Sequence, residues 1–175
     1  MAGCRVKKLY SEEEIRTRIG HMADELANIY PDELIVAPIL TGALFFAADL
    51  LRAMSSRGLD PLIDCVQLAS YGGARSSSGV VKLLKDFSLN IAGRDVLLVD
   101  DVLDTGRSLH FARAMALEKG ARSAAICVLV RKATGRSEDI DADFIGFETG
   151  ADDFLVGYGM DDDGRKRGLP YIAAL

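Results

Sequence analysis

Val96-Leu97-Leu98-Val99 is an uninterrupted apolar run that ends abruptly at Asp100-Asp101. A strand with one wet face alternates polar and apolar residues. An unbroken run therefore implies a strand covered on both faces, as in a parallel sheet between helices. The flanking segments agree with that reading. A polar loop follows, then a predicted helix from about Ser108 to Lys119 closed by Gly120, then a second buried run from Ala124 to Val130. Upstream, Leu34 to Leu40 is another short apolar run. It leads through Thr41-Gly42 into a predicted helix from Ala43 to about Met54, apolar around much of its circumference. Strands alternating with helices predict an α/β fold with a mostly parallel central sheet flanked by helices.

The remaining segments extend this pattern. Ser11 and Glu14 form a capping-box pair ahead of Ile15, Ile19, Met22, Leu26 and Ile29, which predicts an amphipathic helix stopped by Pro31. Ile63 to Ala69, Val80 to Leu84, Phe144 to Phe147 and Phe154 to Tyr158 read as further strands. Tyr71 to Ser78 crowds glycine and serine together with almost no apolar content, which suits either a plain connection or a mobile lid. No repeat or linker interrupts the 175 residues, so residues 1–175 are expected to form one domain.

Charge and cysteine content narrow the function classes. The formal charge is −5, whereas a general nucleic-acid binder carries a basic surplus, so no nucleic-acid partner is expected. Cys4, Cys65 and Cys127 are too scattered for a disulfide framework or a zinc site. The apolar stretch from Leu34 to Leu51 is broken by Pro38, Thr41, Gly42 and Asp49 and fails as a membrane span. No secretory leader is visible, and a reducing cytoplasm is the expected location.

The chemistry concentrates in Val96 to Leu109, VLLVDDVLDTGRSL. The buried strand delivers Asp100 and Asp101 to its carboxyl end, where open α/β sheets place ligands. Asp104-Thr105-Gly106-Arg107-Ser108 then turns into a helix, whose N–H groups and dipole suit a phosphate. The P-loop pattern is absent. Acids beside a phosphate repel it unless they bind sugar hydroxyls, hold Mg²⁺ or take a proton, and these three uses remain open at this point.

VDDVLDTGRS resembles the phosphoribosyl-diphosphate-binding motif of the type I phosphoribosyltransferases. From about Tyr10 to Leu175 the chain resembles the hypoxanthine-guanine phosphoribosyltransferases, through the ordered set ILTGALFFAADLL, LASYGG, the motif itself, DFIGFE, DDFLVGYGMD and RGLPYIAAL. The resemblance implies the type I fold, with a small hood made by chain-terminal segments. It also implies that Asp100 and Asp101 hold the ribose hydroxyls, and that Asp104 is the general base taking the purine N7 proton. Thr105, Gly106, Arg107 and Ser108 would bind the 5-phosphate. Lys132 would recognise the purine 6-oxo group, Phe154 would stack on the base with Val102 on its other face, and Leu155 would read the base through its backbone. Asp161 would lie at the purine site near Mg²⁺, with Asp100 and Asp101 also assigned to the metal. Arg167 would bind the leaving diphosphate. Ser70 and Tyr71 match the family's mobile loop, here about residues 70–81.

One position departs from the family pattern. Thr41-Gly42 stands where the family usually has Lys-Gly or Arg-Gly in the diphosphate loop, so a hydroxyl replaces a cation. If the family's cis peptide at that dipeptide persists, backbone N–H groups remain for diphosphate. The implied activity is Mg²⁺-dependent transfer of phosphoribosyl to hypoxanthine or guanine, with a 6-oxopurine and phosphoribosyl diphosphate as partners and a homodimer or homotetramer as the assembly. The alternatives are a xanthine-preferring enzyme and a phosphoribosyltransferase-like RNA-binding regulator.

Overall fold

A computed structural model describes residues 6–30, 33–70, 81–133 and 140–175. Strand β1 (Lys7–Tyr10) precedes helix α1 (Glu12–Ile29), which opens on the expected capping box: Ser11 Oγ accepts from the Glu14 N–H, and the Glu14 carboxylate accepts from the Ser11 N–H. Then follow β2 (Ile35–Leu40), α2 (Leu44–Ser55), β3 (Leu62–Ile63), β4 (Val66–Ser70), β5 (Val81–Lys85), β6 (Asp95–Leu103), α3 (Arg107–Glu118), β7 (Ser123–Lys132), β8 (Phe144–Thr149), β9 (Leu155–Val156) and β10 (Ile172–Ala174).

The main sheet runs β5-β4-β2-β6-β7-β8, with β3 also paired to β2. All its pairings are parallel except β4 with β5. The apolar run in β6 is covered on both faces: Leu97 and Val99 join the core shared with α1 and α2, while Val96 and Leu98 join the core under α3. Strand β2 divides its side chains in the same way, Val36 to the first core and Ile35 and Ala37 to the second. A separate antiparallel sheet, β1-β10-β9, joins the two ends of the described chain as the expected hood.

The strand predicted over Ile63 to Ala69 is instead two strands separated by Asp64 and Cys65. Asp64 is buried, and its carboxylate accepts from the Cys65, Ser88 and Leu89 N–H groups and from Lys85 Nζ. Meeting those donors turns the chain out of the ladder at that point. Tyr71 and residues 71–80 of the predicted mobile loop lie outside the described residues, whereas Ser70 ends β4. Cys65 and Cys127 are free thiols. Among the described residues, no helix is long and apolar enough to cross a membrane.

Candidate active site

Register brings the candidate residues to one edge. Pro38 of β2 pairs with Val99 of β6, and Leu103 of β6 pairs with Arg131 of β7. The chain leaving β2 at Thr41-Gly42, the acids ending β6 and Lys132 ending β7 therefore share the carboxyl edge of the sheet, where a parallel α/β sheet leaves its binding crevice.

Beyond β6 the chain makes the turn that the sequence suggested. Gly106 has φ +83°, a left-handed conformation that glycine adopts without Cβ strain, and α3 begins at the next residue. Asp100, Val102 and residues Asp104 to Leu109 line a recess of about 120 Å³ at this helix start. Gly106, at the N-cap, has no side chain of its own to cap the helix, and the first turn of α3 lines the recess. An anion there would meet N–H groups and the positive end of the dipole.

Asp100 is buried and Asp101 half-buried. Burial pushes the Asp100 carboxyl well above the usual carboxylate range, and the neighbouring Asp101 charge adds to the shift. Burial also raises Asp101, partly offset by its hydrogen bonds to Asp100 and the Val102 N–H and by the Arg167 charge. Two crowded acids of this kind suit ligands that favour their ionised forms: a diol donating hydrogen bonds, or a hard divalent cation. Among the described residues, no group of three metal-ligating side chains forms a protein-only cage. Two adjacent carboxylates are as many protein ligands as Mg²⁺ needs where substrate oxygens and water can fill the rest of its shell.

Gly42 lies directly against Asp101. A Cβ at Gly42 would sit 2.2 Å from Asp101 Oδ2, so only glycine leaves that carboxylate in place. The cis bond joins Leu40 to Thr41, one bond before the Thr41-Gly42 dipeptide to which the sequence reading assigned it. On the other side of the crevice, Lys132 Nζ lies 3.2 Å from Asp104 Oδ2. Arg131, its neighbour, turns to the opposite face and pairs with Asp141 and Glu148. Phe154 is 42% exposed just before β9 and does not join the core, although an apolar ring in such a sequence would ordinarily be buried. Leu155 is buried in β9 opposite Ala174, and half-buried Val102 packs against the first core.

The chain after β9 folds back on itself. Arg167 donates to the Gly159 carbonyl at 2.6 Å and pairs with Asp161 at 2.7 Å, while Asp161 also accepts from the Gly164 N–H. Gly159, at φ +105°, comes so close to the Gly42 carbonyl that a Cβ there would lie 2.1 Å from its oxygen. Sequence reasoning missed Gly159. The alternating glycines of Val156-Gly157-Tyr158-Gly159 were the available signal, since such spacing marks a backbone that packs closely and turns sharply.

The Phosphoribosyl transferase domain family matches residues 6–163 of this chain. The chain is 41% identical to the hypoxanthine-guanine phosphoribosyltransferase of Bacillus subtilis, covering 97% of this chain and 92% of that protein. Its identity with the enzyme of the same name from Aquifex aeolicus is 39%, over 97% and 94% of the two chains. Among solved structures, the Trypanosoma cruzi hypoxanthine phosphoribosyl transferase superposes with a TM-score of 0.90 at 33% identity, over 97% of this chain and 90% of that one.

Proposed function

This chain belongs to the phosphoribosyl transferase family, and from that premise we propose how its residues carry out purine salvage. It is an enzyme of the hypoxanthine-guanine type, joining the purine to 5-phosphoribosyl 1-diphosphate to give IMP or GMP and diphosphate. The observation that carries the residue assignment is the 3.2 Å pair of Lys132 and Asp104 beside the phosphate-type turn. A cation and a carboxylate held side by side match the edge of a 6-oxopurine, which offers an acceptor at O6 and a donor at N7.

In this reading Lys132 donates to O6 and Asp104 accepts the N7 proton as N9 bonds to C1 of the ribose. The bond from C1 to the diphosphate oxygen breaks in the same event, and the bonding pair leaves with diphosphate. Phe154 stacks on the base with Val102 on its far face, and the Leu155 backbone reads the base edge. Asp100 and Asp101 accept from the ribose hydroxyls, while Thr105, Gly106, Arg107 and Ser108 receive the 5-phosphate. Thr41, Gly42 and Arg167 face the diphosphate, with Asp161 orienting Arg167. Asp100, Asp101 and Asp161 are the residues that would hold Mg²⁺, and bound there the ion supplies positive charge to the leaving diphosphate. Catalysis then rests on positioning and charge complementarity.

In this proposal residues 1–175 act as one domain, in a cytoplasmic homodimer or homotetramer. The relatives carry the hypoxanthine-guanine name, so neither the xanthine-preferring nor the RNA-binding alternative is favoured. The test is stoichiometry: incubation with hypoxanthine, phosphoribosyl diphosphate and Mg²⁺ should yield one IMP per diphosphate released. Diphosphate release without nucleotide would overturn the transferase reading.

A further inference from the structure

Tyr158 plays no part in the chemistry above, yet it is buried, and its hydroxyl donates to Asp49 of α2 across a long stretch of sequence. Its backbone is left-handed, at φ +50°, and lies between Gly157 and Gly159. A tyrosine rarely adopts that conformation, so the surrounding contacts must fix it. Those contacts are specific. The Tyr158 N–H donates to the Leu169 carbonyl at 2.8 Å, the Gly159 N–H donates to the Arg167 carbonyl at 2.9 Å, and the Tyr158 ring lies 6.5 Å from that of Phe45.

Both ends of this contact lead to the diphosphate side of the site. Helix α2 grows directly out of the Thr41–Ala43 turn, with Leu44 N–H donating to the Thr41 carbonyl at 3.2 Å and Ala47 N–H to the Ala43 carbonyl at 2.8 Å. A shift of α2 therefore moves Gly42. At the other end, Tyr158 adjoins Gly159, which touches the Gly42 carbonyl and accepts from Arg167. Burial and the bond to Asp49 both hold the phenol far above its ordinary pKa, so it stays a donor throughout the working pH range.

We propose that Tyr158 is a positioning residue for phosphoribosyl-diphosphate binding, its bond to Asp49 fixing the distance between the Thr41-Gly42 turn and the segment that carries Arg167. The inference rests on the assignment of those residues to diphosphate. The bond closes one side of a recess of about 480 Å³ whose walls include Glu12, Arg16, Phe45 and Asp49. That recess holds none of the carboxyl-edge residues, so Tyr158 acts on the substrate only through the backbone it holds.

The test is a set of variants read by steady-state kinetics and by calorimetric titration with phosphoribosyl diphosphate and Mg²⁺. Tyr158→Phe keeps the ring and removes the donor, and Asp49→Leu removes the acceptor. Each should raise KM and Kd for phosphoribosyl diphosphate about tenfold, the change that corresponds to one hydrogen bond to a charged group. The purine KM should stay within about twofold and kcat at saturation should be little altered. Asp49→Asn keeps an acceptor oxygen and should remain near the starting affinity, and the Tyr158→Phe/Asp49→Leu double variant should be no worse than either single one. An unchanged affinity in both single variants overturns the inference, as does an equal rise in both substrates' KM. If the unaltered protein binds phosphoribosyl diphosphate but makes no nucleotide, the proposed reaction falls while the calorimetric series still decides the role of Tyr158.

Discussion

Lys132 Nζ and Asp104 Oδ2 stand 3.2 Å apart at the ends of neighbouring parallel strands, the lysine largely buried and the aspartate half-exposed. In the proposed reaction an entering purine would exchange this pair for contacts of its own. Lys132 and Asp104 would then act at different stages, which kinetics separates. Asp104→Asn keeps the shape and loses the proton acceptor, so kcat should fall at least about a hundredfold. The Kd for phosphoribosyl diphosphate should change little, and equal turnover would remove the base assignment. Lys132→Gln should instead raise the KM for hypoxanthine and narrow the preference for 6-oxo over 6-amino purines.

Gly42→Ala should weaken phosphoribosyl-diphosphate binding about tenfold or more, because the added methyl displaces the Asp101 carboxylate. The purine affinity should hold. Titration calorimetry with each substrate distinguishes this from a general loss of folding.

Phe154→Ala removes a half-exposed ring, so the melting temperature should move by no more than about 2 °C. The purine KM should rise about tenfold, as expected for a lost base-stacking contact. An unchanged KM would show that the ring does not stack on the base.

Asp64 gives the pH prediction. Burial alone would raise its pKa, but the Leu89 N–H, Lys85 and the Ser88 N–H together hold it below the usual carboxylate range. Its contribution to stability is therefore full above the unfolded carboxyl value and is lost as pH falls through the lower folded value. Asp64→Ala should cost about 3 kcal/mol at pH 7, and the gap to the unaltered protein should shrink below about pH 4. Denaturant midpoints at pH 7 and pH 3 measure the difference.

Local signals made much of the molecule legible. The capping box set the start of α1, and the four-residue apolar run in β6 implied two covered faces because both sides of that strand meet core. The acids and the Gly106 turn marked the carboxyl edge, since their chemistry lies within one short segment. What stayed hidden depends on partners far along the chain. Strand β1 carries Lys7 and Lys8 and has no hydrophobic pattern, and it is a strand because β10 pairs with it. The break at Asp64 is set by donors at Lys85, Ser88 and Leu89. Tyr158 reads as a strand residue until Asp49 is seen to hold its hydroxyl.

Nucleotide formation from phosphoribosyl diphosphate and Mg²⁺, with hypoxanthine, guanine, xanthine and adenine in parallel, tests the proposed transfer. IMP, GMP or both should be the main product, with far less from adenine, whose 6-amino group cannot accept from Lys132 as proposed. No nucleotide from any of the four purines, or AMP as the main product, would contradict it.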